Sequence, residues 1–131
     1  MARILVIDDQ KDVRAMIGMV LRVNRFEVSE AESAAAGLKL FDESAFDVAI
    51  VDIFLADDNG FDVIAKLRDS VPDLPVVAIS GVAPLNPASH ATRPSSVVCL
   101  QKPFRPKDLI RAIENAQGLV RRTSVLAEAA L

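Results

Sequence analysis

The stretch Ile4-Leu5-Val6-Ile7-Asp8-Asp9 decides the fold. Four consecutive branched apolar residues without polar alternation fit a strand buried on both faces, as the central strands of parallel sheets are. The run stops abruptly at two carboxylates. Asp47-Val48-Ala49-Ile50-Val51 repeats the pattern and also runs into an aspartate, Asp52. Pro75-Val76-Val77-Ala78-Ile79 and Val97-Val98-Cys99-Leu100 are further strands of this kind, and the more polar Phe26–Ala31 suits a strand nearer an edge.

Between the strands the apolar period changes from continuous to helical. Val13, Met16, Ile17, Val20 and Leu21 mark a helix over about 11–23. Ser33 is a natural N-cap for a second helix, lined by Ala34, Leu38 and Phe41 and running to about Ser44. Asp57-Asp58-Asn59-Gly60 is turn chemistry, after which Val63, Ile64 and Leu67 mark a third helix. A last helix starts near Pro106 and presents Leu109, Ile110 and Ile113 before Gly118. Strands alternating with helices predict an α/β fold, a doubly wound five-stranded parallel sheet of order 2-1-3-4-5. Residues 1–118 form the expected domain. The tail, 119–131, is too short to bury a core but could form a short extra helix.

Composition agrees with one small domain. The 131 residues are 51% hydrophobic but only 5% aromatic, without Trp or Tyr, so aliphatic side chains must fill the interior. A net charge of −3 with no basic stripe argues against nucleic acid as a partner. The lone Cys99 cannot form an internal disulfide, which suits a reducing compartment. The first apolar run is too short for a signal peptide or membrane span. A soluble, cytoplasmic chain without membrane contact is expected.

In such sheets function lies at the carboxyl ends of the strands, where the strand order reverses. Those ends carry Asp8-Asp9, Asp52, Ser80-Gly81 and Lys102-Pro103. Any one aspartate taken alone is most simply a turn or helix cap; the set is harder to explain that way. Two carboxylates about 4 Å apart repel by roughly 4 kcal/mol at an effective dielectric near 20. Crowding three therefore requires a proton or a cation. The hard oxygen donors suit Mg²⁺. With an ammonium from Lys102 and a hydroxyl from Ser80, the rim could neutralise a phosphoryl group carried by the central carboxylate, Asp52.

These residues resemble the CheY-like receiver domain of two-component response regulators. The resemblance covers about residues 2–117 and rests on Asp8-Asp9, Asp52, Gly60 eight residues later, Ser80 and Lys102-Pro103-Phe104, each after the matching strand. It implies a flavodoxin/CheY-like fold in which Asp52 takes a phosphoryl group from a sensor histidine kinase or a histidine phosphotransfer protein. It further implies Mg²⁺ held by Asp9, Asp52 and the Phe54 carbonyl, with Asp8 acting through water. Lys102 would pair with the phosphoryl group, the bond before Pro103 would be cis, and Ser80 would swing inward to signal to a downstream protein target.

The sequence departs from the family pattern in several places. Cys99 stands three positions before Lys102, where the family carries an aromatic switch residue, and a small thiol cannot reproduce that ring's swing. Pro84, Pro87 and Pro94 fall where a fourth helix belongs and predict a short or irregular one; His90 there reads as a solvated side chain. Phe54 and Val82 flank the path of a hydrolysing water, and apolar groups there predict a slowly hydrolysed phosphoryl state. Leu55-Ala56 replaces the common Met-Pro and is expected to alter only the loop. Two other readings compete: a receiver-shaped interaction module that takes no phosphate, and a metal-dependent phosphohydrolase. Retention of all the chemical residues weighs against the first. The second would want an acid where Phe54 stands.

Overall fold

The computed structural model describes residues 2–81 and 97–129, with side chains described as far as 118. In chain order the elements are β1 (Arg3–Ile7), α1 (Lys11–Val23), β2 (Glu27–Ala31), α2 (Ala34–Glu43), β3 (Val48–Asp52), α3 (Gly60–Ser70), β4 (Val76–Ser80), β5 (Val97–Gln101) and α4 (Pro106–Ala129). The strands form one parallel sheet in the order β2-β1-β3-β4-β5, as the sequence pattern predicts. The proline-rich segment expected to hold a short or irregular helix lies outside the described residues, as do Val82 and His90.

Strand alternation splits the core in two. Leu5, Ile7, Ala49, Val51, Val76 and Ala78 face α2 and α3, where Phe41, Phe61, Ile64 and Leu67 cover them. Ile4, Val6, Val48, Ile50, Val77 and Ile79 face α1 and α4, covered by Ile17, Leu21, Leu109 and Ile113. This two-sided cover is why the central strands read as unbroken apolar runs: every residue of β3 and β4 is buried. The edge strand β2 is largely half-buried, which explains its polar sequence. Cys99 is half-buried against the α2/α3 side of the core, the place of a small hydrophobe.

Local signals set the helix starts. The Ser33 side chain accepts the Ala36 N–H and begins α2, and the Asn59 side chain accepts the Phe61 N–H and begins α3. The last helix does not stop before Gly118; α4 continues through it to Ala129. A glycine inside a helix costs only about 1 kcal/mol relative to alanine, and no described glycine has the positive φ that ends a helix. Among the described residues, no helix is long and apolar enough to cross a membrane.

Candidate functional site

The parallel register brings the polar strand ends together. Ile7 of β1 pairs with Val51 of β3, so Asp8 comes level with Asp52. Ladder hydrogen bonds run just past the strand ends: the Asp8 N–H donates to the Ala31 carbonyl, Ile53 to Ile79, and Lys102 to Ser80 at 2.7 Å. Asp8 follows Ile4 and Val6 in alternation, and Asp52 follows Val48 and Ile50. Both carboxylates therefore project toward the α1/α4 side of the sheet.

Among the described residues, the cation that faces them is Lys102. Lys102 Nζ lies 3.1 Å from Asp52 Oδ2, to which it donates a hydrogen bond, and 3.1 Å from Asp8 Oδ2. The second contact is an ion pair, and among the described residues the buried Asp8 Oδ2 has no hydrogen-bond partner beyond that shared ammonium. Asp8 Oδ1 accepts the Gln10 N–H at 2.9 Å. Asp52 is almost wholly buried, and its Oδ1 accepts the Phe54 N–H at 3.0 Å. Asp9 is exposed and ties down the loop after β3 by accepting the Ala56 N–H. Burial, seconded by the Asp52 charge, raises the Asp8 carboxyl pKa above its ordinary value of 3.8.

Asp8, Asp9 and Asp52 each place a carboxylate oxygen within 4.8 Å of the others. Among the described residues, three carboxylates against one ammonium leave the cluster short of positive charge. The buried Asp8 oxygen, which shares one ammonium with Asp52, and the all-oxygen donor set fit a hard divalent cation such as Mg²⁺. Above the cluster opens a cleft of about 320 Å³ lined by Asp9, Gln10, Asp52, Phe54, Gly81 and Lys102. Ser80 ends β4 and is buried. The Lys102–Pro103 bond is cis, matching the expectation from resemblance.

The loop after β3 is held from two sides. Gly60 sits so close to the chain that a Cβ there would collide with the Asp52 carbonyl and the Ile53 backbone, so only glycine fits. Asp57, read in sequence only as part of a turn, accepts the Ala34 N–H at 3.0 Å and the Ala35 N–H at 3.3 Å. It fastens the loop to the N-terminus of α2, and these hydrogen bonds lower its carboxyl pKa. Sequence reasoning also missed Gln10, whose Oε1 accepts a 2.8 Å hydrogen bond from Lys102 Nζ, and Arg14, which donates to the Asp8 carbonyl at 2.8 Å. Gln10 and Lys102 are 92 residues apart, so no local spacing could pair them.

The family model for the response regulator receiver domain matches residues 4–114. The response regulator receiver protein CpdR of Brucella abortus is 31% identical over 116 residues, covering 87% of this chain and 95% of that protein. The alginate biosynthesis transcriptional regulatory protein AlgB of Pseudomonas putida is 32% identical over 127 residues, 97% of this chain. The chain spans only 28% of AlgB's length. Among solved structures, a CheY-like response regulator receiver domain protein from Methanospirillum hungatei superposes with a TM-score of 0.81 at 25% identity, covering 94% of this chain and 98% of that one.

Proposed function

Because the chain belongs to the response regulator receiver domain family, we propose that its signalling chemistry is phosphoryl acceptance on Asp52. An Asp52 carboxylate oxygen attacks the phosphorus of a phosphohistidine. A P–O bond forms as the P–N bond breaks, the imidazole leaves with the electron pair, and an aspartyl phosphate remains. The observation that carries this reading is Lys102 Nζ at 3.1 Å from Asp52 Oδ2, at the wall of an open acidic cleft. From there the ammonium can follow a phosphoryl oxygen and neutralise part of its charge.

Asp9, Asp52 and the Phe54 carbonyl would hold Mg²⁺, with Asp8 bound through water. The bound ion would supply the charge neutralisation that phosphoryl transfer chiefly requires. Ser80 is the hydroxyl donor assigned to the phosphoryl oxygens. The reading implies a sensor histidine kinase or a histidine phosphotransfer protein as donor, a cytoplasmic setting, and a protein target downstream. The net charge of −3 favours that target over nucleic acid for this domain itself.

Incubation with acetyl phosphate and Mg²⁺, followed by intact mass measurement, tests the assignment. Wild type should gain one phosphoryl group and Asp52→Asn none. A gain that survives in Asp52→Asn would move the acceptor elsewhere, and no gain by wild type would leave a receiver-shaped interaction module. Turnover of many equivalents of donor would indicate a phosphohydrolase.

A further inference from the structure

Gln10 occupies the N-cap of α1, yet its side chain makes no capping hydrogen bond. Glutamine is not among the residues favoured there; Ser, Thr, Asp and Asn are. Its side chain instead crosses to β5's far end, where Oε1 takes the shortest polar contact of the Lys102 ammonium, 2.8 Å against 3.1 Å to each carboxylate. Gln10 and Lys102 together line the acidic cleft, and both also line a second groove of about 430 Å³ formed with Val13, Met16, Pro103 and Phe104. The pair thus borders both hollows, its two side chains joined by one hydrogen bond.

From this arrangement we infer that Gln10 is a positioning residue for phosphoryl transfer, an inference resting on the phosphoacceptor reading above. An ammonium has three protons to donate. With one fixed by the amide oxygen of Gln10, the others are directed at the Asp8–Asp52 side of the cleft. The neutral amide does this without adding a fourth negative charge to a cluster that must admit an anionic phosphoryl group. Lys102 can therefore pass from Asp52 to a phosphoryl oxygen while keeping its anchor.

The rate of phosphoryl gain from acetyl phosphate in Mg²⁺, timed by intact mass, tests this in wild type, Gln10→Met, Lys102→Met and the double variant. Gln10→Met should slow the gain roughly tenfold, the scale of one lost hydrogen bond to a charged group. It should cost less than about twofold once Lys102 is already Met, since the two act as one unit. Equal slowing in both backgrounds, or none in the first, overturns the inference.

The ¹H–¹⁵N signal of the Lys102 ammonium in the unphosphorylated protein gives a second readout. Slowed proton exchange should keep it visible in wild type and in Gln10→Glu, which retains an acceptor oxygen, and it should vanish in Gln10→Met. Its persistence in Gln10→Met, or its absence from wild type, overturns the inference independently of any rate. A wild-type chain that takes no phosphoryl group defeats the phosphoacceptor reading and the catalytic part of this one, and the ammonium signal then still decides whether Gln10 holds Lys102.

Discussion

Replacing Asp8 with Asn should stabilise the protein in the presence of a chelator, the reverse of what loss of a buried polar contact usually does. Asp8 is fully buried, and its Oδ2 shares the Lys102 ammonium with Asp52. It lies within 4.8 Å of oxygens of both Asp9 and Asp52, and 3.1 Å from Lys102. At an effective dielectric near 20, each repulsion at that outer separation is about 3.5 kcal/mol and the attraction about 5 kcal/mol. Screening weakens the exposed Asp9 contribution, so the pairwise charges come close to balance. Desolvation of the Asp8 carboxylate then decides the sign, at a few kcal/mol for a buried ion. Asn keeps an acceptor for the Gln10 N–H and removes the charge. A gain of about 1–2 kcal/mol follows, or roughly 4–8 °C in melting temperature for a domain of this size.

The pH dependence fixes the mechanism. Asp8 holds its proton more tightly in the folded chain than its ordinary value of 3.8, so the folded state binds more protons than the unfolded one between those two values. The charge penalty is complete above the raised folded pKa. It fades as pH falls through that value toward 3.8, and the variant's advantage should shrink with it. Calorimetry in chelator from pH 7.5 downward measures both effects. An Asp8→Asn variant that melts at or below wild type at pH 7.5 would refute the claim that this cluster is electrostatically strained.

Three further outcomes follow from the same geometry. Gly60→Ala drives a methyl group into the Asp52 carbonyl and the Ile53 backbone, and should cost about 1–3 kcal/mol by urea unfolding while slowing phosphoryl gain. Asp57→Ala removes the acceptor for the Ala34 and Ala35 amides, so amide exchange at the start of α2 should accelerate. Because the Asp57 pKa is lowered in the folded state, its stabilisation is present above about 3.8 and is lost as pH falls through the folded value; wild type and Asp57→Ala should therefore converge at the acid end of a melting series. Phe54 is 55% exposed at the cleft and offers no side-chain group to orient water, so the phosphorylated protein should outlast seconds in Mg²⁺ buffer. Phe54→Gln should shorten that lifetime, as followed by the decay of the phosphorylated mass, and a wild-type lifetime of seconds would remove the role assigned to Phe54.

The sequence by itself determined the layers, the strand order and which ends carry chemistry. Neighbours such as Ile50 and Val51, which point to opposite sides of β3, can both be apolar only if helices cover both sides of the sheet, and that cover goes with a parallel, doubly wound topology. Asp8, Asp52 and Lys102 were legible because each follows such a run. Tertiary structure alone decided what those groups touch. The Gln10–Lys102 hydrogen bond and the Asp57 clamp on α2 join segments distant in sequence, and side-chain reach across the register sets them, not any periodicity. The same holds for α4, where a glycine that reads as a stop is carried through because the cost of one helical glycine is small beside a continuous helix.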